Sequence, residues 1–238
     1  MNYSKSHIPK NNGKTRTIYT VSDEDKKILR SQIPYLEKKL SEHDVTNVNY
    51  AFEKGKNCVL NSFQHIGYEY TLSMDLVNFF DSVSKSHVSK LLDDEIIELC
   101  FIDGAPRQGL PTSPLIATIA FLKCDELICN QLKKYKLDAV YTRYADDLIF
   151  SFNTKSDRGK IFTIVSQAVR SCGFEINKPK TKYQNIKNGR IIITGVAIDD
   201  KGIYPTRKIK KKIRAAAHQR NEKSLNGLLE WAKCNLPK

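Results

Sequence analysis

The chain has 238 residues, of which 40% are hydrophobic and 27% are charged, proportions that are ordinary for a globular protein able to bury a real core. Its apolar runs are too short to span a bilayer, and no apolar stretch of the secretory-signal type follows the N-terminus. The net charge of +13 favours a polyanionic partner, most simply nucleic acid; the alternative is a basic surface without a partner. A membrane surface is a less favoured partner, since the sequence shows no strong basic amphipathic anchor with bulky aromatic residues, and we expect no membrane binding. Scattered cysteines without metal-ligand spacing indicate reduced thiols in a cytoplasmic protein.

The first predicted elements are a hairpin, a helix and a strand. Residues 1–20 form a basic hairpin pattern with an Asn-Gly turn. Apolar residues at helical spacing predict a helix over 23–40, which Pro34 is expected to kink or split. An alternating stretch over 68–76 predicts a strand with a carboxylate near its end.

The rest of the chain mixes helical patterns with short β-type runs. Helices are predicted over 86–100, 115–132 and 158–172, hairpins over 139–152 and 191–198, and a final basic helical region over 206–231. Helices and strands in this order indicate an α+β fold whose antiparallel sheet carries the acidic residues.

Three carboxylates are the leading candidates for chemistry. Asp146 and Asp147 lie at the tight turn of the hairpin over 139–152, where the strands make the position rigid and the turn exposes it. Asp75, at a strand end, supplies a second position, and two carboxylate positions converging on metal are typical of two-metal phosphoryl transfer. Magnesium prefers such oxygen ligands. We expect Asp75 and Asp146 to bind metal directly and Asp147 to lie close by; the alternative for each carboxylate alone is a turn residue.

A dense cluster of basic residues marks the C-terminal region. Its members are Arg207, Lys208, Lys210, Lys211, Lys212, Arg214 and Arg220. On a helix they surround a narrow apolar stripe, which fits a helix that lies along a nucleic-acid backbone. Phosphate contacts of this kind give affinity rather than sequence choice. The alternative is a solvated surface helix.

Three motifs, in order, resemble the palm motifs of reverse transcriptases. They are Asp75 with Phe79-Phe80, Gln108-Gly109 with Pro111-Thr112-Ser113-Pro114, and Tyr144-Ala145-Asp146-Asp147. The resemblance implies a right-hand polymerase that uses dNTPs and two Mg²⁺ ions held by Asp75, Asp146 and Asp147. It also implies fingers over 1–70 interleaved with the palm, a palm over 71–195 with a fingers helix around 86–107, and a short basic helical thumb over 196–238.

The same resemblance implies a set of nucleotide contacts. These are Lys10, Arg16, Phe80, Gln108, Gly109 and Lys180. The segment that ends at Arg16 is similar to the fingers hairpin that grips the triphosphate. Phe80 stands where the family has an aromatic residue beneath the sugar, and Lys180 could neutralise or protonate pyrophosphate. Gln108 and Gly109 would line the template–nucleotide pocket. The RNA-binding residues expected on the thumb helix are Arg207, Lys208, Lys211, Lys212 and Arg214.

Two further details resemble the retron branch of this family. Asn61-Ser62-Phe63-Gln64-His65 is similar to a retron insert, and Ile193-Thr194-Gly195 is close to a retron motif. The resemblance implies RNA contacts at Asn61 and His65, for which a buried hydrogen-bonded pair is the alternative. It also implies a structured non-coding RNA as template and primer, an RNA-linked DNA product, an effector protein and a role in phage defence. Alternative functions are a group II intron-like or other defence-associated reverse transcriptase, or a catalytically inactive RNA-binding scaffold.

Overall fold

The computed structural model describes residues 2–9, 13 and 15–236. The chain divides into two compact units, each assembled from separate stretches of sequence. The first unit comprises Met1–Asn47, Leu76–Ile128 and Gln167–Glu175, and the second comprises Val48–Asp75, Cys129–Ser166 and Ile176–Lys238. Helices and antiparallel strands are mixed along the chain, which confirms the predicted α+β class. The boundaries of fingers, palm and thumb stay a prediction.

The secondary structure of the described residues is as follows. The strands are β1 (Tyr3–Pro9), β2 (Thr15–Val21), β3 (Tyr70–Asp75), β4 (Ala139–Tyr144), β5 (Asp147–Phe152), β6 (Lys182–Asn185), β7 (Ile191–Ile193), β8 (Val196–Ile198) and β9 (Ile203–Pro205). The α-helices are α1 (Asp23–Ser31), α2 (Ile33–His43), α3 (Cys58–Phe63), α4 (Phe79–Ser82), α5 (Lys85–Val88), α6 (Asp94–Cys100), α7 (Ser113–Lys134), α8 (Asp157–Ser171), α9 (Arg207–His218) and α10 (Glu222–Ala232). Among these helices, none combines the length and the apolar character needed to cross a bilayer.

In the first unit, β1 and β2 pair antiparallel as predicted, and the asparagine of the predicted Asn-Gly turn between them lies outside the described residues. The helix predicted over 23–40 is split into α1 and α2, because Pro34 occupies the first turn of α2, where a proline is tolerated. The side chain of Ser22 caps α1 by accepting a hydrogen bond from the backbone nitrogen of Asp25 at 3.0 Å.

The prediction of one helix over 86–100, and of a fingers helix around 86–107, is wrong. The stretch contains the separate short helices α5 and α6. Asp93 precedes α6 in extended conformation, and its carboxylate accepts a hydrogen bond from the Tyr35 hydroxyl at 2.9 Å. A contact with a residue so distant in sequence stabilises a helix start that local periodicity does not reveal.

Aromatic rings form part of the core of the first unit. Phe79 lies in α4 and packs edge-on against Phe121 of α7, with ring centroids 5.7 Å apart. Phe174 lies 6.0 Å from Phe79 and stacks on His87 at 4.6 Å. Phe79 is buried, whereas the neighbouring Phe80 is only half-buried. The short helix therefore turns one of the two adjacent phenylalanines into the core.

The second unit contains a four-stranded antiparallel sheet in the order β4-β5-β3-β6. Its central strand β5 is buried from Leu148 to Phe152, as expected for a strand covered on both faces. The predicted hairpins over 139–152 and 191–198 are confirmed, and the second forms a three-stranded sheet with β9.

The basic helical region of the second unit is broken once. The helical region predicted over 206–231 consists of α9 followed by α10. Arg220 adopts a left-handed φ of 52°, and the side chain of Asn221 caps α10 by accepting from the backbone nitrogen of Ser224 at 3.1 Å. Thr206 caps α9 through the backbone nitrogen of Ile209 at 3.4 Å.

Candidate active site

The strand pairing brings two carboxylate positions together in the second unit. β3 ends at Asp75, β5 begins at Asp147, and these residues are directly opposite each other in the antiparallel pair. Such residues have Cβ atoms about 4.5–5.5 Å apart. Ala145 and Asp146 form the tight turn between β4 and β5, and Ala145 has a left-handed φ of 56°. The turn thus leaves Asp146 at the tip of the hairpin, next to Asp147.

The electrostatics of this cluster favour a cation. Burial, together with the neighbouring carboxylates of Asp146 and Asp75, raises the pKa of Asp147 to about 6. The positive charges of Lys180 and Lys182 act in the opposite direction. Carboxylates that repel one another in a partly buried place are stabilised by any positive charge that reaches them.

Asp75 is held by residues that follow α8. The Lys180 ammonium donates to Asp75 Oδ1 at 2.8 Å and to Oδ2 at 2.9 Å. Asn177 Nδ2 donates to Asp75 Oδ1 at 3.1 Å, and the Asn177 backbone nitrogen donates to the Asp75 carbonyl at 2.7 Å. Sequence analysis missed Asn177, although it opens the Asn-Lys-Pro-Lys-Thr motif that contains Lys180.

A cavity of about 400 Å³ lies over these residues. Asp75, Asp147 and Lys180 line it, and Asp146 is not among its lining residues. The remaining lining residues are Ser73, Met74, Tyr144, Ile149, Lys182, Ile192, Thr194 and Gly195. Lys182 was also missed; it is the first residue of β6, two positions after Lys180 in the chain.

The side chains around the cavity offer carboxylate oxygens to a metal ion. In the part of the chain that the structure describes, no three His, Cys, Asp or Glu side chains are grouped closely enough to hold an ion by themselves. Hard divalent cations nevertheless bind through one or two carboxylates when substrate phosphates complete the coordination. Asp75 and Asp147 offer oxygen ligands only, in a place where burial and repulsion between carboxylates raise the pKa of Asp147. The residues fit a cation that is shared with a phosphate substrate.

In the first unit, the turn at Gln108 and Gly109 packs directly on β2. The Gln108 carbonyl accepts from the Tyr19 backbone nitrogen at 2.8 Å. Gly109 has a left-handed φ of 112°, and a Cβ atom there would lie 2.3 Å from the Tyr19 carbonyl oxygen. Only glycine fits this approach. Gly109 therefore makes a close backbone contact with β2.

Arg107 fixes this turn and was missed by sequence analysis. Its guanidinium donates to the carbonyls of Ile102 and Asp103, at 2.8 Å and 2.6 Å. It also donates to Asp81 Oδ1 at 2.8 Å, just beyond Phe80 in the chain. Its position immediately before Gln108 was the available signal.

The other nucleotide contacts predicted in this unit are less constrained. Arg16 is exposed on β2, and Phe80 is half-buried in α4. Lys10 lies outside the described residues. Their roles as nucleotide contacts stay predictions.

Asn61 and His65 are both fully buried in the second unit. His65 Nε2 lies 2.7 Å from the Thr142 hydroxyl and Nδ1 lies 2.9 Å from the Ser151 hydroxyl. The Ser151 hydroxyl also bonds to that of Thr71 at 2.8 Å, so one network joins β3, β4 and β5. The expectation of direct RNA contacts at these two positions is corrected for this structure, because neither side chain reaches solvent. Both side chains are buried, as the alternative requires, but the hydrogen-bond partners of His65 are Ser151 and Thr142 and not Asn61.

His65 should make stability depend on pH. Burial lowers its pKa from 6.5 to about 3, so the unfolded chain takes up a proton near pH 6.5 while the folded chain stays neutral. Stability is therefore lost as pH falls from 6.5 toward 3. From about pH 7 to about pH 5 the loss from this group should be about 2 kcal/mol. Denaturant unfolding of native protein and His65→Gln at both pH values measures it; an identical pH dependence in the variant would contradict the assignment.

The basic residues predicted to bind RNA are placed on α9. Arg207, Lys208, Lys211, Lys212 and Arg214 are all exposed. All of them except Arg214 line one open concavity together with Ala215. Ile209 and Ile213 are half-buried and Ala216 is buried, so the narrow apolar stripe faces inward as predicted.

The sequence matches known proteins over most of its length. Residues 8–198 match the family model described as reverse transcriptase (RNA-dependent DNA polymerase). The retron Ec73 reverse transcriptase of Escherichia coli is 33% identical over 234 residues, which cover 88% of this chain and 73% of that protein. The retron Mx65 reverse transcriptase of Myxococcus xanthus is 26% identical over 95% of this chain and 60% of that protein. The retron Ec86 reverse transcriptase of Escherichia coli is 29% identical over 85% of this chain and 64% of that protein.

Solved structures resemble the fold. Telomerase from Candida albicans, in complex with a fragment of telomeric RNA, has a TM-score of 0.63 at 15% identity, covering 86% of this chain and 46% of that one. A foamy viral protease-reverse transcriptase in complex with double-stranded DNA has a TM-score of 0.55 at 19% identity, covering 90% and 32%. At these identities the likeness concerns the fold alone, and it confirms the predicted polymerase fold.

Proposed function

The chain belongs to the reverse transcriptases, the RNA-directed DNA polymerases, and is of the retron type, and we propose that it copies a structured non-coding RNA into DNA that stays joined to the RNA. The observation that carries the catalytic part is the cavity in which Asp75 and Asp147 face each other beside Lys180. These carboxylates also argue against the alternative of an inactive RNA-binding scaffold. A group II intron-like or other defence-associated enzyme would use the same site with a different primer.

We propose that the family's divalent metal is a pair of Mg²⁺ ions held by Asp75, Asp146 and Asp147. When bound, such ions polarise a phosphate and lower the pKa of an attacking hydroxyl. Asp147 lies opposite Asp75 in the cavity, which makes it a stronger candidate for direct coordination than the sequence pattern indicates. Asp146 lies on the adjoining turn. The ammonium of Lys180 would neutralise or protonate the departing pyrophosphate.

The remaining contacts are assigned by their similarity to the family. In the first unit, Lys10 and Arg16 would bind the triphosphate of a dNTP, and Gln108 with Gly109 would contact the template and nucleotide. In the second unit, the exposed basic face of α9 would follow the phosphate backbone of RNA. An effector protein and a role in phage defence in the cytoplasm complete the proposal.

The nucleic acid that copurifies with the chain tests the template and primer. We expect RNA together with DNA that remains attached to it after denaturation and is shortened to a small RNA-bearing species by DNase. Separate RNA and DNA strands, or RNA alone in cells with dNTPs available, would contradict the retron-type product.

Phe80→Ala should relax sugar selection. A half-buried ring beneath the sugar would collide with a ribose 2'-hydroxyl, and its removal opens that space. We expect ribonucleotide incorporation relative to deoxynucleotide incorporation to rise by about tenfold or more, since about 1.4 kcal/mol of discrimination corresponds to tenfold. Single-nucleotide primer extension measures the ratio, with the buried neighbour Phe79 left unchanged. Unaltered sugar discrimination would contradict the assignment.

Neutralising two lysines of α9 should weaken the binding of RNAs of different sequence to the same extent. The double variant Lys211→Gln with Lys212→Gln removes two exposed charges from the concave basic face. The slope of log affinity against log salt should become shallower by about 1 per lost phosphate contact. A matched control replaces Lys133 and Lys134, which are exposed at the end of α7. Equal losses in the two double variants would show that α9 is not a dedicated RNA surface.

A further inference from the structure

Both oxygens of the Asp75 carboxylate are bonded to a cation of the protein itself. Lys180 Nζ lies 2.8 Å from Oδ1 and 2.9 Å from Oδ2. The Asp75 side chain is only 13% exposed, whereas that of Lys180 is 54% exposed. A largely buried carboxylate is thus neutralised by a flexible ammonium that enters from the solvent side of the cavity.

We propose that Lys180 holds the place of a divalent cation on Asp75 and leaves this carboxylate when such a cation binds. The inference rests on the proposed function, in which Asp75 is a metal ligand. Magnesium binds carboxylate oxygens at about 2.0–2.1 Å. An ammonium hydrogen-bonded to both of the same oxygens would lie against the ion, and two adjacent positive charges repel each other.

The surroundings of Lys180 allow this exchange. Lys180 ends the short 3-10 turn Lys178–Lys180 and is exposed, so its four-carbon stem can rotate without disturbing a packed core. Asn177 also donates to Asp75, but it is neutral and its backbone nitrogen is bonded to the Asp75 carbonyl. Asn177 can therefore stay in place and orient the carboxylate while Lys180 moves.

The exchange would make the Lys180 charge available to a substrate phosphate only when the metal site is occupied. Without a metal ion, the Lys180 charge is used by Asp75 and is unavailable to a phosphate group. Once Lys180 leaves Asp75, its ammonium still lies beside the same cavity, which Lys180 lines. The charge would thus face an incoming phosphate only after the cation is bound.

Lys182 provides a matched control for the test. It lines the same cavity, and its charge acts on the pKa of Asp147 in the same direction as that of Lys180. Among the described residues, however, Asp75 is ion-paired with Lys180 and not with Lys182. If general electrostatic repulsion governed metal affinity, Lys180→Gln and Lys182→Gln would tighten it alike.

Calorimetric titration of Mn²⁺ into substrate-free native protein and both variants is the decisive experiment. We expect Lys180→Gln to bind Mn²⁺ at least about threefold more tightly than Lys182→Gln does, the scale of a partly exposed ion pair. Crystal structures grown with EDTA and with Mn²⁺ should show Lys180 Nζ within hydrogen-bond distance of Asp75 only in the first.

Three results overturn the inference while leaving the proposed function intact. They are equal tightening in the two variants, a Lys180–Asp75 contact that persists in the Mn²⁺ crystal, and undetectable Mn²⁺ binding to the substrate-free protein, since in the proposed function substrate phosphates complete the coordination. A different failure would concern the metal assignment itself: Mn²⁺ binding that is the same in Asp75→Asn as in native protein overturns both.

Discussion

Asparagine at Asp75 or at Asp147 should reduce DNA synthesis by about 10³-fold or more, the scale of losing a preorganised electrostatic contact in an active site. Each substitution keeps the shape of the side chain and removes the negative charge from one side of the cavity. RNA affinity should stay within about twofold, because the α9 surface retains its full charge. Single-turnover primer extension and a filter-binding titration measure the two quantities on the same preparations.

The control for these variants is Asp200→Asn. Asp200 is exposed in the second unit and does not line the cavity, so its substitution changes the net charge equally. Synthesis by this variant should match that of the native protein. Retained DNA synthesis in both Asp75→Asn and Asp147→Asn would contradict the catalytic role of these carboxylates.

Gly109→Ala should destabilise the first unit and displace β2. The new methyl group would lie 2.3 Å from the Tyr19 carbonyl oxygen and 2.8 Å from Ile18 Cγ2, and no rotation relieves a Cβ contact. The 2.8 Å hydrogen bond from Tyr19 to Gln108 must then lengthen or break. Backbone strain plus overpacking should lower the free energy of unfolding by about 2–4 kcal/mol, as measured by denaturant unfolding.

Gly104→Ala separates the cost of a left-handed backbone from the cost of a steric clash at Cβ. Gly104 also has a left-handed φ, of 79°, but open space surrounds the position of a Cβ atom. This variant should lose only about 1 kcal/mol, the cost of a left-handed alanine. Equal losses in the two variants would mean that the packing of Gly109 on β2 adds nothing to stability.

Sequence predicted the parts of the fold that depend on local patterns. The hairpin carrying Asp146 and Asp147 and the strand ending at Asp75 follow from β-type runs bounded by turn residues. The convergence of Asp75 and Asp147 then follows from antiparallel register. The break between α5 and α6 was missed because it depends on Asp93 and Tyr35 meeting across the sequence.

Site residues were predictable where they belong to a motif with known chemistry. They were not predictable where their role depends on whether the side chain is buried. Nothing local distinguishes a His65 that faces RNA from one buried against Ser151 and Thr142. In the same way, the contact of Lys180 with Asp75 joins residues far apart in sequence, which the pairing of β3 with β6 and the backbone bond from Asn177 to Asp75 bring close. Motif resemblance indicated which residues matter, and tertiary contacts decided what each touches.

Primer extension by the purified chain on its copurified RNA, with dNTPs and Mg²⁺, measures the proposed RNA-directed DNA synthesis itself. We expect DNA synthesis that requires the divalent cation and disappears in Asp147→Asn. Absence of incorporation by the native protein, with its RNA bound and intact and with Mg²⁺ or Mn²⁺ supplied, would contradict it and favour an RNA-binding scaffold.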